Sequence, residues 1–190
     1  MMEALFSQLA VSFDLPVLDW IAANLTSPAL DWLMPKITAL GNAGIFWILI
    51  AAVLLLLPKH RRAGAAMGAA LLAGLLICNI LLKPLCARIR PFDFQLLHFG
   101  KTIPLLIPAP TDYSFPSGHT IASFEAATVL LLYRRKWGIA AMVLAAVIAF
   151  SRLYLYVHYP SDVLFAMAAG IGIGFGAWHL VRRLWPAEKA

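Results

Sequence analysis

Three short polar clusters interrupt a strongly apolar sequence, and each carries residue types that can handle a phosphoryl group. They occupy residues 83–91 (KPLCARIRP), 115–119 (FPSGH) and 151–162 (SRLYLYVHYPSD). Lysine and arginine bind phosphate oxygens, and histidine can transfer a proton or attack phosphorus. A serine and a glycine at a helix start add hydroxyl and backbone N–H donors. The three clusters therefore predict one phosphate-handling site.

The first cluster holds two cations at helical spacing. Lys83 and Arg90 are seven residues apart, which is about two helical turns. If the helix of the preceding span continues past the membrane, both side chains lie on one face, Arg88 lies elsewhere, and Pro91 ends the helix. Paired cations stabilise the charge on a phosphoryl group in its transition state. Taken alone, the two residues are better explained as interfacial cations that reach for water.

The second cluster predicts a tight turn at the start of a helix. Pro116 and Gly118 shape the turn, and Ser117 adds a hydroxyl to the exposed N–H groups of the first helical turn. His119 supplies a group suited to proton transfer. A plain helix cap with an interfacial histidine is the alternative.

The third cluster pairs a histidine with a carboxylate. His158 and Asp162 are four residues apart, and Pro160 between them is expected to begin the last span, so the local geometry is a turn that enters a helix. Arg152 adds a third cation. An ion pair between Arg152 and Asp162 at the membrane edge is the structural alternative.

This combination resembles the type 2 phosphatidic acid phosphatase (PAP2) superfamily. Its K-x6-RP pattern is matched by Lys83, Arg90 and Pro91, its PSGH pattern by residues 116–119, and its SR-x5-H-x3-D pattern by Ser151, Arg152, His158 and Asp162. Three matches in the right order are far more specific than any one alone.

The resemblance implies a role for each matched residue. His158 would attack phosphorus and form a phosphohistidine, Asp162 would hold the other ring nitrogen, and His119 would be the general acid. Phosphate would be bound by Lys83, Arg90, Ser117, Gly118 and Arg152. The implied mechanism needs no metal and no cofactor, and neither the other histidines nor Cys78 and Cys86 show metal-ligand spacing.

Composition indicates where such a site lies. The 190 residues are 62% hydrophobic and 13% charged, with a mean hydropathy of +0.83, which is typical of a membrane protein. The net charge of +6 comes from basic residues placed between apolar spans rather than in a continuous stripe, which argues against nucleic acid as a partner. The expected fold is an all-α polytopic membrane bundle, in one domain.

Apolar segments predict five spans, at residues 38–57, 63–82, 119–133, 138–157 and 162–181. Basic residues follow the first, third and last of them: Lys59, Arg61, Arg62, Arg134, Arg135, Lys136, Arg182, Arg183 and Lys189. The positive-inside rule makes that face cytoplasmic, together with the tail 182–190. All three motifs then meet at the extracytoplasmic surface of the cell membrane.

The N-terminal segment 1–37 is expected to lie in the membrane interface. Apolar residues recur at helical spacing in 5–13, 17–25 and 29–40, but prolines and aspartates interrupt any full-length span. A sixth crossing here is the alternative. No cleavable signal peptide is visible.

The expected activity is hydrolysis of a phosphorylated membrane lipid, with undecaprenyl diphosphate as the leading substrate. Phosphatidylglycerophosphate and phosphatidic acid are the alternatives, because the motifs read phosphate and not the tail. A lipid-binding or lipid-transporting protein without turnover is the alternative from another class. Glu125, inside the third span, could shape a lipid pocket, move protons, or form a buried hydrogen bond to a neighbouring helix. The oligomeric state is left open.

Overall fold

The computed structural model describes residues 2–185, which form helices and contain no strand. The all-α prediction is confirmed. We number the helices α1 (Met2–Asn24), α2 (Pro28–Ala39), α3 (Ile45–Leu56), α4 (Arg61–Gly74, continued by Leu75–Leu82 and Lys83–Cys86), α5 (Pro91–Phe99), α6 (Gly118–Tyr133), α7 (Arg135–Tyr154) and α8 (Pro160–Leu184).

Helix α6 is the centre of the bundle and packs against α4, α7 and α8. Ten of its 16 residues are buried, so neighbouring helices surround most of its length. Its small residues and two glycines of α8 allow close approach: a Cβ added to Gly174 would lie 2.5 Å from the carbonyl oxygen of Glu125. With 16 residues α6 is about 24 Å long, and it is not among the helices that are long enough to cross a membrane alone.

Several helices are long and apolar enough to cross a membrane. Among the described residues, four such stretches qualify alone, and α2 with α3 forms a fifth candidate that is bent by 44°. Helix α1 is one of the four, yet its contacts run across one end of the bundle. Phe6 packs on Phe115 with ring centroids 5.5 Å apart, and Asp19 accepts a hydrogen bond from Tyr156 at 2.9 Å. The interfacial position of α1 stays a prediction.

The predicted first span, 38–57, is wrong at its start. The chain leaves the helix after Ala39 and makes a 3₁₀ turn, Asn42–Gly44, before α3 begins at Ile45. Ala43 and Gly44 have φ of 50° and 67°, in the left-handed region that a continuous helix does not use.

The predicted helix from Lys83 to Arg90 is also wrong. Helix α4 ends at Cys86, Ala87 is left-handed with φ of 47°, and Arg90 is extended. Proline disfavours the helical conformation in the residue before it and is well suited to the first helical turn, so Pro91 begins α5 and does not end α4. Lys83 and Arg90 therefore reach the same site from two different elements. Lys189 and the rest of the tail beyond residue 185 lie outside the described residues.

Candidate active site

Six of the eight predicted site residues line one cavity of about 1160 Å³: Lys83, Arg90, Gly118, His119, Arg152 and His158. The other two, Ser117 and Asp162, are fully buried next to them. The cavity lies where α4 ends, α6 begins, α7 ends and α8 begins. The three sequence clusters thus converge on one place, as the topology of the spans predicted.

His158 is held with one ring nitrogen towards a cation. Arg90 Nη1 lies 3.3 Å from His158 Nε2, and a guanidinium can only donate, so Nε2 is the acceptor. In the neutral ring the proton is then on Nδ1. Nδ1 faces Asp162 Oδ2 at 3.5 Å, which is longer than a hydrogen bond. The ring nitrogen that carries the electron pair is therefore Nε2, which lies beside Arg90.

The surroundings of His158 favour the neutral ring. Burial, followed by the positive charges of Arg90 and Arg152, lowers the pKa of His158 well below its usual 6.5. A neutral imidazole keeps the electron pair that an attack on phosphorus requires.

Lys83 and Arg90 share one counter-ion that the sequence did not single out. Asp112, in the loop between α5 and α6, accepts from Lys83 Nζ and from Arg90 Nη2, each at 2.5 Å, and its backbone oxygen accepts from Arg90 Nε at 2.8 Å. Burial alone would raise the pKa of Asp112, but the bonds and charges of the two cations hold it well below its usual 3.8. The side chain of Asp112 is 55% exposed.

Arg152 reaches the cavity from the last turn of α7. Its Nη1 donates to Thr38 Oγ1 of α2 at 2.6 Å, while its buried Nε has no partner among the described residues. A buried donor without a partner is costly. The guanidinium therefore has N–H capacity that an anion in the cavity could satisfy.

His119 is fixed by the break between α2 and α3. Its Nε2 lies 3.0 Å from Asn42 Oδ1. An amide oxygen accepts, so this nitrogen carries a proton. A Cβ on Gly41 would lie 2.5 Å from the His119 ring, so only glycine allows the backbone to pass there. The left-handed turn that interrupts the predicted span thus places Asn42 on the histidine.

The start of α6 offers backbone donors to the same cavity. Ser117 precedes the helix in an extended conformation and accepts a hydrogen bond from Thr120 Oγ1 at 2.9 Å. The first N–H groups of a helix have no partner within it and favour an anion. Gly118 also allows close contact with α4, since a Cβ there would lie 2.7 Å from Asn79 Oδ1.

Asp162 is part of a buried ionic network that sequence reasoning missed. Its carboxylate accepts from Arg88 Nη1 at 2.5 Å, from the Tyr159 N–H at 3.0 Å and from Ser114 Oγ. Arg88 continues through Nη2 to Asp14 of α1 at 2.6 Å. The signal available in the sequence was a further basic residue of the first cluster, Arg88, together with Asp14 in an apolar N-terminal helix.

Glu125 lies along the same cavity, six residues deeper on α6 than His119. It is 1% exposed, and Oε2 has no hydrogen-bond partner in the described chain. Gly74 of α4 leaves room for the carboxyl group. Of the alternatives that the sequence left open for Glu125, a hydrogen bond to a neighbouring helix is not made by Oε2. Within residues 2–185 no three His, Cys, Asp or Glu side chains are grouped as metal ligands.

Comparisons with known proteins identify the family of this chain. A family model described as "PAP2 superfamily" matches residues 63–186. A protein of Sulfolobus acidocaldarius named undecaprenyl-diphosphatase is 34% identical over 130 residues, which are 68% of this chain and 60% of that relative.

Two solved structures share the fold. LpxE of Aquifex aeolicus has a TM-score of 0.75 and 25% identity, over 88% of this chain and 96% of that one. A transmembrane PAP2 type phosphatidylglycerolphosphate phosphatase from Bacillus subtilis has a TM-score of 0.71 and 23% identity, over 98% and 97%. Together with the apolar helices, these likenesses confirm the membrane helical bundle.

Proposed function

The chain belongs to the PAP2 superfamily, and we propose that it is a membrane lipid phosphatase that works through a phosphohistidine on His158. One observation carries the proposal. His158 Nε2 accepts from Arg90 at 3.3 Å in a cavity that Lys83 and Arg152 also line. A nucleophilic nitrogen next to several phosphate-binding cations is the arrangement that phosphoryl transfer requires.

The proposed reaction has two steps. His158 Nε2 attacks phosphorus and the bond from phosphorus to the leaving oxygen breaks, while His119 gives that oxygen a proton. Water then attacks phosphorus, the bond from phosphorus to His158 Nε2 breaks, His119 takes a proton from the water, and inorganic phosphate leaves. Lys83, Arg90, Arg152 and the backbone at Ser117 and Gly118 bind the phosphoryl oxygens throughout.

Asp162 supports the attacking histidine. As His158 bonds to phosphorus its ring becomes cationic, and the proton on Nδ1 faces the Asp162 carboxylate. The 3.5 Å separation would shorten to a charge-assisted hydrogen bond at that stage.

The substrate is proposed to be a lipid because the cavity continues away from the cations into an apolar region between α3, α4 and α6. Its walls there include Ile48, Leu71, Leu75 and Ile121. We place undecaprenyl diphosphate first, supported by the name of the Sulfolobus relative. Phosphatidylglycerophosphate and phosphatidic acid follow.

The face of the membrane is also part of the proposal. The basic residues that follow α3, α6 and α8 mark the cytoplasmic end of the bundle by the positive-inside rule. The cavity is at the other end and would open to the extracytoplasmic surface.

The test is phosphate release by the purified protein in detergent with a chelator present. Undecaprenyl diphosphate, phosphatidylglycerophosphate and phosphatidic acid are compared, with His158→Ala and Lys83→Ala as variants. We expect turnover in the wild type, its loss in His158→Ala, and a lower but measurable rate in Lys83→Ala. Equal, near wild-type rates in both variants would refute the site. No turnover by folded protein on any substrate would favour a binding or transport role.

A further inference from the structure

Helix α7 ends in a turn whose central residue has a backbone conformation that favours glycine, yet this residue is Tyr156, with φ of 57°. Its N–H donates to Leu153 O at 2.9 Å, and the N–H of Val157 donates to Arg152 O at 3.2 Å. These two bonds are the pattern of a Schellman motif, in which glycine is the usual residue at this position because a Cβ is strained there. Of the three non-glycine residues with positive φ in residues 2–185, Tyr156 is the only one with a large side chain.

The turn at Tyr156 leads directly into the candidate nucleophile. The carbonyl oxygen of Val157, the next residue, accepts a hydrogen bond from Arg90 Nη1 at 2.6 Å. The same nitrogen lies 3.3 Å from His158 Nε2. Val157 is therefore bonded through its N–H to the backbone of Arg152 and through its carbonyl group to the side chain of Arg90. The directions of both bonds depend on the dihedral angles of Tyr156.

The side chain of Tyr156 attaches this turn to α1 and α5. Its hydroxyl accepts a hydrogen bond from Gln95 Nε2 of α5 at 2.8 Å and donates one to Asp19 Oδ1 of α1 at 2.9 Å. The buried ring packs in a cluster with Leu18 of α1 and Phe94 of α5. A strained backbone conformation persists only where the surrounding contacts hold it. Here the contacts of the side chain offset the strain that a left-handed tyrosine carries.

We propose that Tyr156 is a positioning residue for phosphoryl transfer: the two hydrogen bonds of its hydroxyl hold the turn in the conformation that sets His158 Nε2 beside Arg90. The proposal rests on the proposed function, in which His158 is the nucleophile. Tyr156 does not line the cavity, so it acts through Val157 and His158 and not by contact with the substrate. A nucleophile displaced by about 1 Å can lower the rate about 100-fold. A purely structural tyrosine would change stability and leave kcat unchanged.

The experiment compares Tyr156→Phe, which removes the hydroxyl and keeps the ring, with Tyr154→Phe. Tyr154 is a matched control because it is also buried and its hydroxyl also bonds to an aspartate of an N-terminal helix, Asp31, at 2.6 Å, but it lies within α7 before the turn. Unfolding temperature, kcat and KM are measured on the full chain in detergent, with whichever of the three lipids the wild type hydrolyses fastest.

We expect both variants to unfold at a lower temperature than the wild type. In Tyr156→Phe, kcat should fall about 5- to 50-fold with KM changed less than about 2-fold, because the cations that bind phosphate are kept while the nucleophile is displaced. In Tyr154→Phe, kcat should stay within about 2-fold of the wild type. Equal kcat values in the two variants would overturn the proposal.

A second pair of variants tests the same bond from the surface, in case Tyr156→Phe does not fold. Asp19→Ala removes the acceptor of the Tyr156 hydroxyl, and the Asp19 side chain is half-exposed. Lys101→Gln is its control, because Lys101 pairs with Asp19 at 3.4 Å and does not contact Tyr156. We expect kcat to fall about 2- to 10-fold in Asp19→Ala and to stay at the wild-type value in Lys101→Gln. Equal kcat values in this pair would also overturn the proposal.

Amide hydrogen exchange in the segment 155–159 provides a readout that does not depend on turnover. We expect exchange there to be about 10-fold faster in Tyr156→Phe and Asp19→Ala than in the wild type, and unchanged in the two controls. Unchanged exchange in Tyr156→Phe would overturn the proposal, because the hydroxyl would then not hold the turn. A wild type without hydrolysis would refute the proposed function, and the exchange rates would still decide whether Tyr156 holds the turn.

Discussion

Arg88 donates a hydrogen bond to Asp162 at 2.5 Å, although the two residues are 74 positions apart. The other terminal nitrogen of the guanidinium binds Asp14 at 2.6 Å, and all three side chains are at least 95% buried. Its flat face lies 3.8 Å from the centre of the Tyr159 ring. The carboxylate that supports His158 is thus anchored to the N-terminal helix through one buried cation.

Asp14→Asn should weaken both folding and turnover. Removing one partner of a buried ion pair leaves a charge without compensation, which costs about 3 kcal/mol or more. A small displacement of Asp162 and His158 would lower kcat by about 100-fold. Thermal unfolding and phosphate release in detergent measure the two effects. Glu3→Gln, an exposed change on the same helix, is the control, and equal behaviour of the two variants would contradict this role of Asp14.

Asp112→Asn should strengthen the binding of phosphate analogues. The carboxylate neutralises Lys83 and Arg90 in the unliganded protein, and an incoming anion must replace it. The backbone oxygen that holds Arg90 Nε is kept in the variant. Because Asp112 is half exposed, we expect orthovanadate to inhibit at about 2- to 5-fold lower concentration.

Asp93→Asn is the control for charge alone, since Asp93 forms no ion pair with either cation. Unchanged or weaker inhibition of Asp112→Asn would show that Asp112 helps to bind the anion and does not compete with it.

The decrease of kcat/KM on the acid side of its pH profile should occur below pH 6.5. The folded-state pKa of His158 is lowered from 6.5 by burial and by Arg90, Arg152 and Lys83. The ring therefore stays neutral as the pH falls through 6.5 and loses its electron pair only when the pH passes the lower folded-state value.

Arg152→Gln removes one of the charges that lower the pKa of His158. The kcat/KM of this variant should therefore decrease at a higher pH than that of the wild type. The pH profile of kcat/KM with a soluble short-chain phosphate is measured for the wild type and for Arg152→Gln. An acid-side decrease above pH 6.5 in the wild type would contradict the assignment of His158 as the titrating nucleophile. A decrease at the same pH in the wild type and in Arg152→Gln would contradict it as well.

Gly174→Ala should destabilise the bundle by about 1 to 3 kcal/mol, because the new methyl group would meet the backbone of α6 at Glu125 and not a movable side chain. Gly172 and Gly176 are the matched controls, since nothing lies within 4 Å of a Cβ there. Alanine at either control position should be neutral or stabilise by up to about 1 kcal/mol. Unfolding temperatures in detergent test the difference, and a similar loss at all three glycines would argue against close packing of α6 and α8.

The sequence motifs predicted which residues come together in one cavity better than they predicted the elements that hold them. Arg90, His119 and His158 were identified because motif spacing is local and is set by chemistry. Asp14, Thr38 and Asn42 were missed because their bonds to Arg88, Arg152 and His119 join positions 74, 114 and 77 residues apart. Only the packed bundle brings such pairs together.

The predicted spans failed where single backbone positions decide the course of the chain. Hydropathy favours a continuous helix through residues 38–57, but the left-handed Ala43 and Gly44 interrupt it. A continuous helix would put Lys83 and Arg90 on one face. The extended conformation of Arg90 before Pro91 instead places the two residues on different elements.

The placement of α1 across the end of the bundle limits which part of this chain can be joined to another protein in a chimera. The stretch that matches the family begins at residue 63, so a chimera that joins this stretch to a foreign N-terminal region would keep every motif residue. It would nevertheless lose Asp14, Thr38 and Asn42, which bind Arg88, Arg152 and His119. The transplantable unit is therefore larger than the unit that sequence similarity recognises, and it extends back at least to Asp14.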